Sequence, residues 1–268
     1  HKISVSVLLN FLSSSASGGD PYLTATGASE AGMNYSCIMK AGFWSSFHNQ
    51  ALLCDYQSLS IGVNYENRFN ISELGTRTAG AIIPAGKTTL GIQYSNFGYK
   101  DFMRQSAGIA CAMKLSGKIS AGIQIDYLGE RSSGEYGGSK ALTFEAGVIL
   151  IPAERIRIGL HLFNPVPGSI RKRYLPSAIR AGAGINLSEG LFAGAELQIC
   201  TGRKLVARTG FEYEVAKKFR IRGGFSSENT SFSFGLGYNL KSVCIDLGFL
   251  SHENLGITTS ASLIFKIN

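Results

Sequence analysis

The sequence predicts an all-β chain that forms a transmembrane antiparallel β-barrel of about 14 strands, with an N-terminal plug in its lumen. The 268 residues include 33 glycines, only 6 prolines and 16% charged residues. No run reaches the ~18 apolar residues that a membrane helix needs. From about residue 56 onward, apolar and polar side chains alternate over segments of roughly 9 to 13 residues, as expected of tilted membrane strands.

The first of these segments illustrates the pattern. Leu59, Ile61, Val63 and Tyr65 alternate with small or polar residues, and a period of two places each set on one face of a strand. The polar face is rich in Gly and Ser with isolated charges, which favours a narrow lumen over the charged outer face of a soluble barrel. Tyr and Phe recur near the strand ends, where interfacial girdles lie.

The strand count follows from the same alternation. An even number of strands closes an antiparallel barrel with both ends on one side. Tight turns, such as 85–86, 116–117 and 153–154, separate alternate strands, and longer loops lie near 67–75, 131–138, 164–174 and 252–255. The predicted strands are 56–66, 76–84, 87–98, 102–115, 118–130, 139–151, 155–164, 175–187, 190–200, 204–215, 218–226, 229–240, 242–251 and 256–267.

Two further segments precede the barrel, which we assign to residues 56–268. Residues 1–19 combine a short positive start, an apolar core and small residues, so they are either a signal peptide or a retained N-terminal arm. Both alternatives favour export from the cytoplasm. Residues 20–55 do not alternate, and we interpret them as a hatch or plug in the lumen, anchored by Trp44. The candidate hatch residues are Gly27, Gly32, Met33, Trp44, Phe47, His48 and Asn49.

The inward face of the predicted strands carries charges of both signs. Because an unpaired buried charge is costly, we expect these residues to pair in a structural network. An ion or proton path is the alternative. The predicted lumen charges are Glu145, Arg157, Arg180, Glu196, Arg208, Glu212, Arg220, Arg222 and Asp246, with Glu66, Lys114 and Asp126 beside them.

The net charge of +8 does not indicate nucleic-acid binding. Its basic residues are dispersed apart from the run 171–173, and no aromatic platform accompanies them. Outer-membrane lipid with anionic headgroups is the simpler partner. No cofactor or metal is predicted, since the five cysteines form no CxxC pair and no zinc-type spacing. Cys37 and Cys54 could bridge in an oxidising periplasm, or all five could be small semi-buried side chains.

Enzymatic chemistry is not predicted. His48, His161 and His252 lie in three different settings, and no G-x-S-x-G nucleophile motif occurs. We expect His48 to form a hydrogen bond within the hatch, His161 to point into the lumen and His252 to lie in a loop.

Two runs near the N-terminus carry a family resemblance. Residues 27–33 (GASEAGM) and 43–52 (FWSSFHNQAL) resemble the hatch of PorV/PorQ-like outer-membrane proteins of Bacteroidota, a branch of the FadL-type long-chain fatty-acid channel family. Ser29-Glu30 departs from the usual Arg, and Asn34 stands where Gly is usual. Residues 125–128 and 160–165 also resemble the family. The resemblance implies a 14-stranded barrel with an N-terminal hatch in the bacterial outer membrane.

The functions implied by this family diverge. Our first hypothesis is an accessory or scaffold subunit of a larger outer-membrane machine for type IX protein secretion or outer-membrane protein assembly, bound to other outer-membrane proteins. Short loops and a charged lumen support it. The alternative is a FadL-type channel for hydrophobic small molecules, which predicts an apolar cavity beside the hatch and a gap in the wall near 181–184.

Overall fold

The computed structural model describes residues 25–133, 138–166, 169–170 and 173–267. The signal-like segment predicted at 1–19 and the first residues of the predicted hatch, 20–24, lie outside these ranges. Within them, no helix is both long enough and apolar enough to cross a membrane.

The predicted fold is confirmed: 14 antiparallel strands form a closed barrel, in which β1 pairs with β16. A two-stranded hairpin, β8 (Ser169–Ile170) with β9 (Arg173–Tyr174), lies outside this sheet. The barrel strands are β1 Leu59–Asn67, β2 Gly75–Ala85, β3 Thr88–Tyr99, β4 Phe102–Ser116, β5 Ile119–Ser132, β6 Gly138–Ala153, β7 Ile156–Phe163, β10 Ala178–Ser188, β11 Leu191–Cys200, β12 Val206–Ala216, β13 Phe219–Ser226, β14 Ser231–Asn239, β15 Val243–His252 and β16 Gly256–Ile267.

Two strands start three residues later than predicted because the residues before them have other hydrogen-bond partners. The first begins at Leu59 rather than 56, since the Tyr56 N–H donates to the Leu53 carbonyl within a helical turn. The strand predicted from 175 begins at Ala178, and the Leu175 carbonyl accepts from the Asn164 side chain instead. Local alternation cannot reveal either partner.

The two faces of the wall differ as the alternation predicts. On β5 the outward Ile123 and Ile125 are each 64% exposed, whereas the inward Gln124 and Asp126 are 1% and 3% exposed. Apolar side chains therefore cover the outside of the barrel and polar side chains line its inside. An outer apolar surface of this extent is suited to lipid.

Residues 25–58, which we call the lumen segment, lie inside the barrel. The segment contains helix α1 (Ala28–Gly32) and two 3-10 helices, Phe43–Phe47 and Gln50–Asp55. Trp44 Nε1 donates to Ser262 Oγ on β16 at 3.1 Å. The Tyr35 hydroxyl donates to Glu66 on β1 at 2.6 Å. These bonds attach the segment to strands at both sides of the β1–β16 closure.

A row of glycines lets the lumen segment approach the wall. Gly184, Gly194, Gly210 and Gly224 pair in register across four neighbouring strands. A Cβ on Gly210 would lie 2.8 Å from the carbonyl oxygen of Met33, so a larger residue there requires the segment to shift. Close packing of the lumen segment therefore accounts for these glycines.

We expect Gly210→Ala to lower the free energy of unfolding by about 1–3 kcal/mol, because the added methyl overpacks the contact with Met33. Urea unfolding in lipid vesicles measures it, followed by the fluorescence of Trp44, the only tryptophan. Gly117→Ala is the matched control, since a Cβ at Gly117 has nothing within 4 Å. Equal effects of the two substitutions would contradict the packing argument.

Candidate functional site

Ion pairs connect most of the inward charges. Arg180 Nη2 lies 2.7 Å from Glu196 Oε1, and Arg208 Nη1 lies 3.5 Å from the same oxygen. Arg208 also contacts Glu228 at 3.0 Å. Arg180 further donates to the Tyr35 carbonyl at 3.0 Å, which ties this group to the lumen segment.

Arg222 is the centre of a second group. It bonds Glu212 through Nε and Asp246 through Nη1, both at 2.6 Å, and its side chain is 2% exposed. Lys40 of the lumen segment approaches Glu212 at 2.9 Å. One arginine thus joins strands β12, β13 and β15 and the segment that they surround.

Three predicted lumen charges lie nearer the short-turn end of the barrel. Arg157 pairs with Asp55 at the end of the lumen segment, and Lys114 lies 4.0 Å from the same carboxylate. Arg220 contacts Glu214 at 3.2 Å and Glu212 at 3.9 Å. These side chains are partly exposed, so their ion pairs contribute less than the buried ones.

The candidate hatch residues hold the lumen segment together. The Asn49 amide donates to the Ile38 carbonyl at 2.8 Å and to the carbonyls of Val148 and Leu160 in the wall. Phe43 packs edge-on against Trp44, with ring centroids 4.8 Å apart. Phe47, Met33, Gly32 and Gly27 are also buried, and Gly32 lies directly against Gly235 of β14.

The described histidines make different contacts and do not form a common site. His48 Nε2 lies 2.7 Å from the Thr26 carbonyl, and burial lowers the pKa of His48 to about 3, so the ring is neutral at pH 7. His161 Nε2 lies 2.8 Å from Glu145 Oε2 in the lumen. Within the described ranges, no group of three or more His, Cys, Asp and Glu side chains is placed to hold a metal ion. Cys37 and Cys54 form no disulfide.

Glu30 is a buried carboxyl group that sequence reasoning missed. It lies in helix α1 and is 4% exposed, and its nearest donor is the Ser29 hydroxyl. Burial raises the pKa of Glu30 to about 7. Nothing in the local sequence distinguishes it from a surface glutamate.

An apolar cluster lies at the loop end of the lumen. Ile170 and Leu175, from the connection between β7 and β10, are 1% and 3% exposed and pack with Leu128 on the inward face of β5. Asn164 holds this connection in place: its amide donates to the Leu175 carbonyl at 2.9 Å, and its Oδ1 accepts from Thr143 at 2.8 Å. The cluster covers the polar lumen with apolar side chains.

The wall near 181–184, where a channel was expected to have a gap, is continuous. β10 pairs in register with β7 and with β11 throughout this stretch. On the outside, a groove of about 900 Å³ follows the same strands, lined by aromatic residues including Phe211, Phe225 and Phe234. The prediction of a gap at this position is therefore wrong.

The strand pairing is interrupted at a different place. β7 ends at Phe163, opposite Glu145, whereas β6 continues to Gly138. Beyond that point the Asn164 N–H donates to the Phe144 carbonyl at 3.0 Å. We call the edge of β6 over residues 138–144 the notch, because β7 does not extend along it.

Comparison with solved structures identifies barrels of the same fold. The Ralstonia pickettii toluene transporter TbuX matches with a TM-score of 0.75 at 11% identity, over 92% of this chain and 100% of that one. The CymD monoaromatic hydrocarbon channel matches with a TM-score of 0.74 at 12% identity, over 92% and 99%. A Pseudomonas aeruginosa FadL homologue matches with a TM-score of 0.64 at 11% identity, over 91% and 97%. No family model and no curated protein sequence matches the chain.

These findings correct the first functional hypothesis. The structural neighbours are FadL-type hydrocarbon channels and transporters, which contradicts an accessory or scaffold subunit of a secretion or assembly machine and favours the alternative of a hydrophobic channel. The hypothesis was wrong because it relied on short loops and a charged lumen. It did not anticipate that one connection folds inward and contributes apolar side chains.

We expect Arg222→Met to lower the free energy of unfolding by about 3–5 kcal/mol, because Glu212 and Asp246 each lose a buried ionic partner. Urea unfolding of the barrel in lipid vesicles measures the loss. Lys218→Met, at an exposed turn position, serves as the control for removing one positive charge. A loss for Arg222→Met no larger than for this control would mean that the buried network contributes little stability.

We expect Glu30→Gln to change how stability depends on pH. Between about pH 4.5 and pH 7 the folded state retains a proton on Glu30 that the unfolded state releases, so the free energy of unfolding falls as pH rises through this range. The Gln variant lacks this contribution. Unfolding at a series of pH values should therefore show the difference between the two proteins growing toward pH 7. Parallel curves for the two proteins would contradict burial of the carboxyl group.

Proposed function

We propose that this protein is a channel of the bacterial outer membrane that admits hydrophobic small molecules. The observation that carries the proposal is the end-to-end agreement of its fold with barrels described as monoaromatic hydrocarbon channels and toluene transporters. The apolar outer surface supports insertion into the membrane and contact with its lipid. Residues 27–33 and 43–52 resemble the hatch of the PorV/PorQ branch. We propose common ancestry with that branch from this resemblance, and no function.

The apolar cluster gives the proposed channel an entrance. Ile170 and Leu175 offer an apolar surface at the loop end of a lumen whose other side chains are mainly polar. A hydrophobic molecule that leaves water gains free energy in proportion to the apolar area it buries there. Entry requires these two side chains to move away from Leu128.

The proposed exit is sideways, through the notch. The lumen segment fills the barrel below the cluster, so a straight passage to the short-turn end is blocked. At the notch β7 does not pair with β6, and the contacts described there come from Asn164 of the β7–β10 connection, which bonds Phe144 and Thr143. Leu142, on the outer face of β6 at this edge, is 71% exposed. A molecule released there enters the apolar region of the bilayer without crossing the lumen segment.

A disulfide between Thr143→Cys and Asn164→Cys, in a background with the five native cysteines replaced by Ser, should block passage by fixing the connection to β6. The native side chains already lie 2.8 Å apart. We expect oxidised cells carrying the barrel to lose uptake of radiolabelled toluene and to recover it on reduction.

The matched control is a disulfide between Thr78→Cys and Ser95→Cys in the same background. These residues face each other on β2 and β3, with their hydroxyls 3.2 Å apart, away from the notch. This bridge should leave uptake unchanged. Uptake that is the same with and without the Thr143–Asn164 bridge would rule out the notch as the exit, and uptake no greater than in cells without the barrel would overturn the proposed function.

A further inference from the structure

Two inward carboxyl groups differ from the rest because no arginine or lysine pairs with them. Among the described residues, neither Asp126 nor Glu145 lies within ion-pair distance of a basic side chain other than His161. The remaining inward carboxylates of the barrel strands have cationic partners. The partnered residues are Glu66, Glu130, Glu196, Glu212, Glu214 and Asp246.

These two carboxyl groups belong to one buried cluster. They are 3% and 6% exposed and lie on paired strands, with Glu145 opposite Gln124. The amide of Gln124 donates to Asp126 Oδ1 at 2.7 Å, and the amide of Gln50 donates to Glu145 Oε2 at 2.6 Å. Amides supply hydrogen bonds but no positive charge, so the cluster has no cation of its own.

Acceptor atoms in this cluster are also left open. The Oε1 atoms of Gln93 and Gln124 are buried and have no hydrogen-bond partner, whereas the carboxyl groups of Asp126 and Glu145 form a hydrogen bond with each other and therefore share a proton. Both amides converge over Gly108, with their nitrogens 2.9 and 3.0 Å from the position that a Cβ there would take. An ammonium group has three N–H donors, enough for the two open amide oxygens and one oxygen of the carboxyl pair. A buried acceptor without a donor costs free energy that such a ligand would recover.

The neighbouring surface is apolar. Leu128 follows Asp126 on the same face of β5, and successive residues on one face lie about 6.6 Å apart. Leu128 packs against Ile170 and Leu175. A ligand whose cationic end is bound at Asp126 would therefore place its apolar part against the apolar cluster. A bare metal ion would make no use of that surface.

We propose that Gln93, Gln124, Asp126 and Glu145 bind the ammonium group of a hydrophobic amine, while its apolar part contacts Leu128, Ile170 and Leu175. The inference rests on the proposed function and narrows its substrate class to amines with an apolar body. The ammonium group would replace the proton that Asp126 and Glu145 share, so the carboxyl pair then supplies the negative charge. The glutamines supply neutral acceptors that orient the ammonium group.

The test compares three molecules of nearly equal shape: benzylamine, benzyl alcohol and toluene. Equilibrium binding of each radiolabelled compound to the purified full-length barrel, and its uptake by cells that carry the barrel, are measured for the native protein and for Asp126→Asn and Glu145→Gln. We expect benzylamine to bind the native protein more tightly than benzyl alcohol. Each variant should weaken benzylamine binding by about tenfold or more, the amount that one charged hydrogen bond typically supplies, with toluene unaffected.

Glu66→Gln is the control, because it removes an inward carboxylate that is already paired with Arg68 on the other side of the lumen segment. It should leave benzylamine binding unchanged. Trp44 fluorescence reports whether each variant remains folded. Toluene uptake without a preference for benzylamine, or equal benzylamine binding in folded Asp126→Asn and native proteins, would overturn this inference alone. Absence of uptake for all three compounds would overturn the proposed function with it.

Discussion

Closure of the sheet is the constraint on which the other features depend. Because β1 pairs with β16, every strand has two neighbours, and the notch on β6 is the place where a strand edge extends beyond its neighbour β7. A closed wall with an apolar exterior directs its polar side chains inward, where little water remains to solvate them. The ion pairs of Arg180 and Arg222 and the glycine row against the lumen segment both follow from that enclosure. The interior of the barrel is a filled polar core rather than an open pore.

The candidate functional region is the part of the lumen in which inward carboxylates no longer pair with arginine or lysine. Along β10 to β16 the inward carboxylates are paired, and the groove outside those strands faces a continuous wall. Across the lumen, Asp126 and Glu145 lack cationic partners, the apolar cluster covers them, and β7 ends before its neighbour β6. The lumen thus has one half in which the inward carboxylates pair with arginine or lysine and another in which Asp126 and Glu145 do not. A protein that must open needs contacts of the second kind, since local opening is confined to regions of low local stability.

How much the sequence predicts depends on the range of the interaction. Alternation is a property of neighbouring residues, so the strands and their facing were predictable to within a few positions. Pairing between distant residues was not, because nothing near Lys40 in the chain indicates Glu212 as its partner. Ile170 and Leu175 were missed for a related reason: the strand pattern placed Ile170 in a loop and Leu175 in a strand, whereas the distant Asn164 side chain holds the connection inward. The functional hypothesis failed at that same loop.

The pairing of Leu59 with Ile267 also constrains the order in which the molecule assembles. The lumen segment comes just before β1, and β16 ends the described chain, so the ladder that completes the wall joins its two most distant strands. Ladders of this separation form late, since closing a long loop costs entropy before any contact repays it. A segment already seated against Ser262 and Ser231 is enclosed by that last step, whereas one left outside would have to enter a sealed cylinder. We therefore expect insertion of the segment and sealing of the barrel to be coupled, so that a segment that seats poorly slows the biogenesis of the whole barrel.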